Sequence, residues 1–298
     1  MLTGYRSSVL VSVSAIAVAL FSFELIGWVA SQSEADPKIA APQIVAIAAG
    51  TTAYRASGEY LRNGVAVDAP LIDVGFTSPL HIMKYQVSVA DYARCVNAGA
   101  CEPADPGRAA DSRMPVTGVS FQDAENYASW LSGKTGQVWR LPSDEEWAHA
   151  AGRRFFDDAL GIGSDENDPS RRWIAEYRRN AAREPQSDPE PKAPGFYGEN
   201  EHGISDLSGN VWEWTSSCYV RAKVTDTGVI EKEKTTHCGV RVVEGRHRAY
   251  MIFFVRDAKG GGCSVGAPPD NLGFRLVREE FRRLNFAALK AWWRTLTQ

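Results

Sequence analysis

The string DLSGNVWEW, residues 206–214, constrains the fold more than any other stretch of this chain. Gly209-Asn210 is a turn-forming pair, and the VWEWT that follows alternates. Trp212 and Trp214 therefore leave a strand on one face and Glu213 on the other. Nine Trp among 298 residues, beside 26 Gly and 15 Pro, extend that signal to the whole chain. They describe a loop-rich fold pinned by large aromatics, not a regular helical bundle or an alternating βαβ array. Around the turn, Asp206 and Glu213 can converge, and the carbonyls of Gly209 and Val211 can add two more oxygens. That is the ligand set of a hard cation, Ca2+ above all. The alternative is an Asx-type turn leading into a tryptophan-pinned strand.

The length allows one large domain or two small ones. A composition 44% hydrophobic and 23% charged excludes collagen, coiled coil, disulfide-dense miniprotein and full disorder. A net charge of -3 gives no global pull toward nucleic acid or an anionic membrane. At the amino terminus, Arg6 precedes an apolar run broken by Glu24 and then the polar linker SQSEADPKIAAPQ. This pattern predicts a signal peptide over residues 1–31, with an uncleaved membrane anchor as the variant. Both readings export the body of the protein, to the periplasm in a Gram-negative cell. Export makes the five cysteines candidates for disulfides. Cys95 and Cys101 predict a local bridge. Cys218 and Cys238 flank the charged insertion VRAKVTDTGVIEKEKTTH and would tie it off at its base. A Cys238–Cys263 pairing that frees Cys218 stays open.

Three helix starts carry one signal, a Ser with an acidic residue three positions on: Ser88 with Asp91, Ser120 with Asp123, and Ser143 with Glu146. FQDAENYASWL places Phe121, Ala124, Ala128 and Leu131 on one face, with Gly133 as the stop. Residues 32–64 read as a linker and lead-in, with short strands and turns from 44 to 87. The stretch from about 155 to 205 reads as long polar loops. Strand pattern returns at VWEWT, VRVVEG and GFRLV, and residues 279–298 predict an amphipathic helix, docked on its own domain or offered to a partner or membrane surface.

PVTGVSFQDAENYASWLSGKTGQVWRLPSDEEWAHAA, HGISDLSGNVWEWTSSC and NLGFRLV, in that order, together resemble the formylglycine-generating enzyme (sulfatase-modifying factor) family. The resemblance covers roughly residues 65–278. It implies that family's irregular α+β variant of the C-type lectin fold, low in regular secondary structure, with bound calcium. Residue by residue, it implies side-chain calcium ligands at Asp206 and Glu213 and backbone ligands at Gly209 and Val211. Asn180 with the Ala181 carbonyl would be part of a second calcium site.

The family's oxidases hold copper on two cysteines, five positions apart, after a Gly-Gly-Ser motif. Soft Cu(I) needs both thiolates. Here Glu244-Gly245-Arg246 replaces that motif, and no cysteine occurs from 241 until Cys263. The standard copper-dependent oxidation of cysteine to formylglycine is therefore not expected. The five histidines show no clustered spacing for iron. His247, Tyr250 and Cys263 are the remaining catalytic candidates, against a solvated His247 and a buried or paired Cys263. The layout is most similar to members associated with copper nitrite reductase. It implies an accessory or maturation factor for a periplasmic redox protein, with a protein partner and no nucleic acid. A diverged metal-dependent oxidoreductase, like the pyoverdine-maturation branch, and a lectin-like binding module using RHRAYMIFF are the alternatives.

Overall fold

A computed structural model describes residues 39–105, 111–161, 169–183, 190–257 and 271–280. The signal segment, Cys263 and nearly all of the C-terminal helix expected over 279–298 lie outside these residues. The architecture is α+β, with a four-stranded antiparallel sheet, a larger mixed sheet, a two-stranded ribbon and helices packed around them.

In the first sheet β1 (Ile44–Ile47), β6 (Leu80–Met83), β12 (Val277–Glu279) and β7 (Val138–Arg140) lie in that order. The larger sheet runs β10 (Ala249–Ile252), β9 (Ile230–Glu244), β8 (Trp212–Val224), β3 (Glu59–Arg62), β4 (Val65–Val67), with β11 (Leu272–Gly273) parallel to β8. β2 (Gly50–Arg55) pairs with β5 (Leu71–Phe76) as the ribbon. The segment 44–62, read from sequence as lead-in, thus supplies strands to all three sheets. Most strands are short. The exception is the β8/β9 hairpin, which contains the charged insertion expected as a loop. Residues 231–239 of β9 are exposed, so no buried face imposes an apolar alternation, and the strand is invisible to a periodicity argument. Cys218–Cys238 bridges that hairpin, and Cys95–Cys101 forms as the local spacing suggested.

Each of the three caps forms. Ser88 starts α1 (Val89–Asn97), Ser120 starts α2 (Phe121–Thr135) and Ser143 starts α3 (Asp144–Ala151), each accepting from the amide three residues on. At Ser120 and Ser143 the acidic partner bonds back to the cap's own amide, which completes a capping box. Helix α2 ends at Gly136, with φ 65°, and not at Gly133, which lies inside it. A fourth helix, α4 (Pro169–Arg183), occupies part of the stretch read as loops.

One core joins α1, α2 and β7 to Trp212, Trp214, Phe274 and Leu276. A second packs Trp147, Ala150 and Ala151 of α3 against β1, β6 and β12. In the first core Trp214 donates its indole N–H to the Val119 carbonyl at 2.9 Å and Trp212 to the His247 carbonyl at 3.0 Å. Ser143→Ala deletes the acceptor for the Glu146 amide. We expect it to cost about 1 kcal/mol, read as a lower urea midpoint at unchanged slope.

Candidate functional site

As the alternation requires, Glu213 leaves β8 opposite the two tryptophans, and it is buried. Arg275 donates to it through Nε at 2.6 Å and Nη2 at 2.7 Å, Trp147 Nε1 at 2.9 Å and Gln86 Nε2 at 2.8 Å. Each carboxylate oxygen thus takes two donors, which fills its capacity. Asp206 has φ 63° and turns the other way. Its oxygens accept the backbone N–H of Gly195 at 2.6 Å and of Tyr197 at 2.9 Å, while Asn210 clasps Lys192 through both its amide atoms. Gly209 is required here, because a Cβ would stand 2.7 Å from the Tyr197 ring. The turn is a clasp on segment 192–197, and Asp206 and Glu213 share no partner. Asp206 keeps room for one further partner on each oxygen and Glu213 keeps none. Glu213 therefore has no acceptor site left for a cation, while Asp206 has one on each oxygen. Ala181 is exposed on α4, beside Asn180, and the segment 184–189 beyond them lies outside the described residues.

His247 is buried, not solvated. Its ring meets Trp212 edge to face at 5.2 Å. Tyr250 points away from it: the strand alternates, so Ala249 and Met251 join the first core while Arg248 and Tyr250 face the other side. The Tyr250 hydroxyl accepts from the Gly58 amide at 2.7 Å and donates to Asp158 at 3.1 Å. The two catalytic candidates therefore do not act on one point. RHRAYMIFF is mostly interior, with only Phe253 and Phe254 among its large apolar residues exposed. Gly245, in the place of the family's Gly-Gly-Ser, lies against the Trp212 indole, where a Cβ would stand 2.7 Å away.

Sequence reasoning missed the most charged interior feature. The Arg248 side chain is 0% exposed and reaches Asp144 at 3.1 Å, Asp158 at 3.1 Å and Glu244 at 2.8 Å. Tyr54 donates to Asp144 as well. Burial works against the Arg248 charge, and Asp144 and Glu244 more than offset it. Burial, and then the Asp144 carboxylate, hold Glu244 well above the ordinary carboxyl range against the pull of Arg248. Glu244 is thus the carboxyl of the cluster pushed toward its protonated form, in hydrogen-bond contact with Asp144. A run such as RHR reads as surface. The available signal was the period-2 alternation with Tyr250, which assigns Arg248 to a side chain layer. Among the described residues no three His, Cys, Asp or Glu side chains group as a metal site.

Two outcomes follow from these contacts. Glu213→Gln leaves Arg275 a buried charge without its counter-ion and should lower stability by about 3–5 kcal/mol, measured by denaturant unfolding. The Glu244 pKa is raised on folding, so its contribution to stability falls as pH rises above the unfolded chain's value of about 4–5, by at most about 1.4 kcal/mol per unit. Glu244→Gln keeps a neutral hydrogen-bonding group and should flatten the decline of stability above about pH 5; an unchanged slope would show that the Glu244 pKa is not raised on folding.

The sulfatase-modifying factor enzyme 1-like domain matches residues 29–280. The inactive Cα-formylglycine-generating enzyme 2 of Bos taurus is 31% identical over 180 residues, 58% of this chain and 54% of that protein. The formylglycine-generating enzyme of Streptomyces coelicolor is 30% identical over 180 residues, 55% of this chain and 52% of that protein. The chain spans about half the length of the curated relatives it matches. Among solved structures, PvdO from Pseudomonas aeruginosa aligns with a TM-score of 0.50 at 21% identity, over 80% of this chain and 95% of that one. That likeness bears on the fold, and the domain match over residues 29–280 shows that the chain belongs to the formylglycine-generating enzyme (sulfatase-modifying factor) family.

Proposed function

We propose that this protein is an exported member of the family that has given up copper-dependent cysteine oxidation and serves as an accessory or maturation factor for a periplasmic redox protein. One observation carries the reading. Of five cysteines, four are spent in the Cys95–Cys101 and Cys218–Cys238 disulfides, so Cys263 is the one thiol left. A single thiolate cannot rebuild the two-thiolate seat that Cu(I) needs. The relative from cattle that bears "inactive" in its name supports the same direction, and two disulfides suit an oxidising compartment. Calcium belongs to this reading at Asp206, with the Gly209 and Val211 carbonyls and without Glu213.

Elemental analysis tests it, on the full chain exported to an oxidising compartment and purified without chelator. We expect calcium near about one equivalent, lost in Asp206→Asn, with copper and iron far below stoichiometric. Copper or iron at one equivalent would overturn the reading in favour of a diverged oxidoreductase, and no calcium would remove the ion from it. Cross-linking in the exporting cell should then capture one dominant redox protein; capture of none would sink the accessory role.

A further inference from the structure

Helix α4 is inside out. Trp173 is 67% exposed and Tyr177 64%, with Ile174 beside them, while the charged Arg172, Glu176 and Arg179 turn toward the body of the protein. Charged side chains face inward only where something there solvates or pairs them. What they face is a cavity of about 140 Å³, lined also by Tyr60, Tyr219 and Tyr250, by Arg248, and by the carboxylates of Glu59, Asp68 and Asp158.

The pairing on the helix wall is incomplete. Arg172 is held by Asp68 at 3.0 Å. Arg179 gives only Nη1, to the Asp158 carbonyl at 2.6 Å; its Nε is buried with no hydrogen-bond partner. The Nε–Nη2 edge is the side of a guanidinium that takes a carboxylate through two parallel bonds. Glu176 has one contact, to Arg172 at 4.0 Å. Glu176 and Arg179 stand three apart on one helix, yet they form no ion pair with each other. A cationic edge and a carboxylate, both under-committed on one wall, are complementary to a molecule that carries both charges.

We propose that this cavity binds a small α-amino acid as its zwitterion. The carboxylate lies on the Nε–Nη2 edge of Arg179, the ammonium on Glu176, and the side chain against the tyrosine wall. Tyr219 and Tyr250 meet edge to face at 5.1 Å, which gives that wall a concave aromatic corner able to take a small apolar group or the ammonium's inner face. The volume sets the size: a cavity near 150 Å³ holds a benzene-sized body, so about six to eight heavy atoms fit. Alanine, serine and valine lie in that range, and the large aromatic amino acids lie outside it.

The test is thermal unfolding and titration calorimetry of the full chain with L-alanine, L-serine and L-valine, beside propionate and isopropylamine, which carry one charge each. A saturating amino acid should raise Tm by about 5 °C, and neither single-charge analogue should. Arg179→Gln and Glu176→Gln should each weaken binding at least about tenfold, and Arg179→Lys, which keeps the charge but not the two-bond edge, should weaken it comparably. Trp173→Ala, on the outward face, should bind as the parent does. An unliganded Tm equal to the parent's shows that a variant is folded. If Arg179→Gln lowers it, the Lys variant decides. Binding of no amino acid, binding of either analogue as strongly, or unchanged affinity in the folded Arg179 variants would each overturn the proposal.

Discussion

The pair between Glu213 and Arg275 is the interaction on which the remaining structure depends. Arg275 also donates to the carbonyls of Met83 and Lys84, at 3.2 and 3.1 Å, and of Ser205 at 3.0 Å. Glu213 adds Trp147 of α3 and Gln86. One ion pair thus ties β8, the segment after β11, the end of β6, helix α3 and the approach to the DLSGN turn. Neither member can be solvated, so each buried charge is tolerable only because almost every lone pair and N–H finds a partner. A contact with these many dependents makes folding all-or-none around it, since losing any one partner leaves a desolvated polar group behind.

That dependence explains what could be read from the sequence. Ser88, Ser120 and Ser143 were legible because a cap is a local contract between residues three apart, indifferent to the tertiary environment. Trp212 and Trp214 were legible because strand alternation fixes their common face. The other face was not. Alternation places Glu213 opposite the indoles but does not say that Arg275, 62 residues away, will be there to meet it. The expectation of a cation between Asp206 and Glu213 assumed two acidic groups with nothing else to bind. Long-range partners supply four donors to Glu213, and two amides 9 and 11 residues away occupy Asp206.

The same reasoning applies to the elements that escaped notice. Helix α4 shows no inward apolar stripe because its inward side is Arg172, Glu176 and Arg179. Residues 231–239 of β9 have no buried face to print a pattern. Arg248 reads as surface because a lone arginine in a polar run nearly always is. In each case burial is dictated by polar partners, and polar partners distant in the chain leave no periodicity.

The fold's independence from the family's chemistry follows from where the altered motif sits. Glu244, Gly245 and Arg246, which by the sequence resemblance replace Gly-Gly-Ser, each have a packing role here: Glu244 in the Arg248 cluster, Gly245 against the Trp212 ring, Arg246 5.9 Å from the Tyr197 ring centroid. None of these contacts involves the Glu213–Arg275 pair. Glu244 stands opposite Glu213 in the β8/β9 register, yet its side chain serves the Arg248 cluster and leaves the Arg275 pair to Glu213 alone. Side chains that point away from the first core, Arg248 and Tyr250, then line a polar cavity beneath α4. Selection can act on that cavity independently of the first core, because the two lie on opposite faces of one strand.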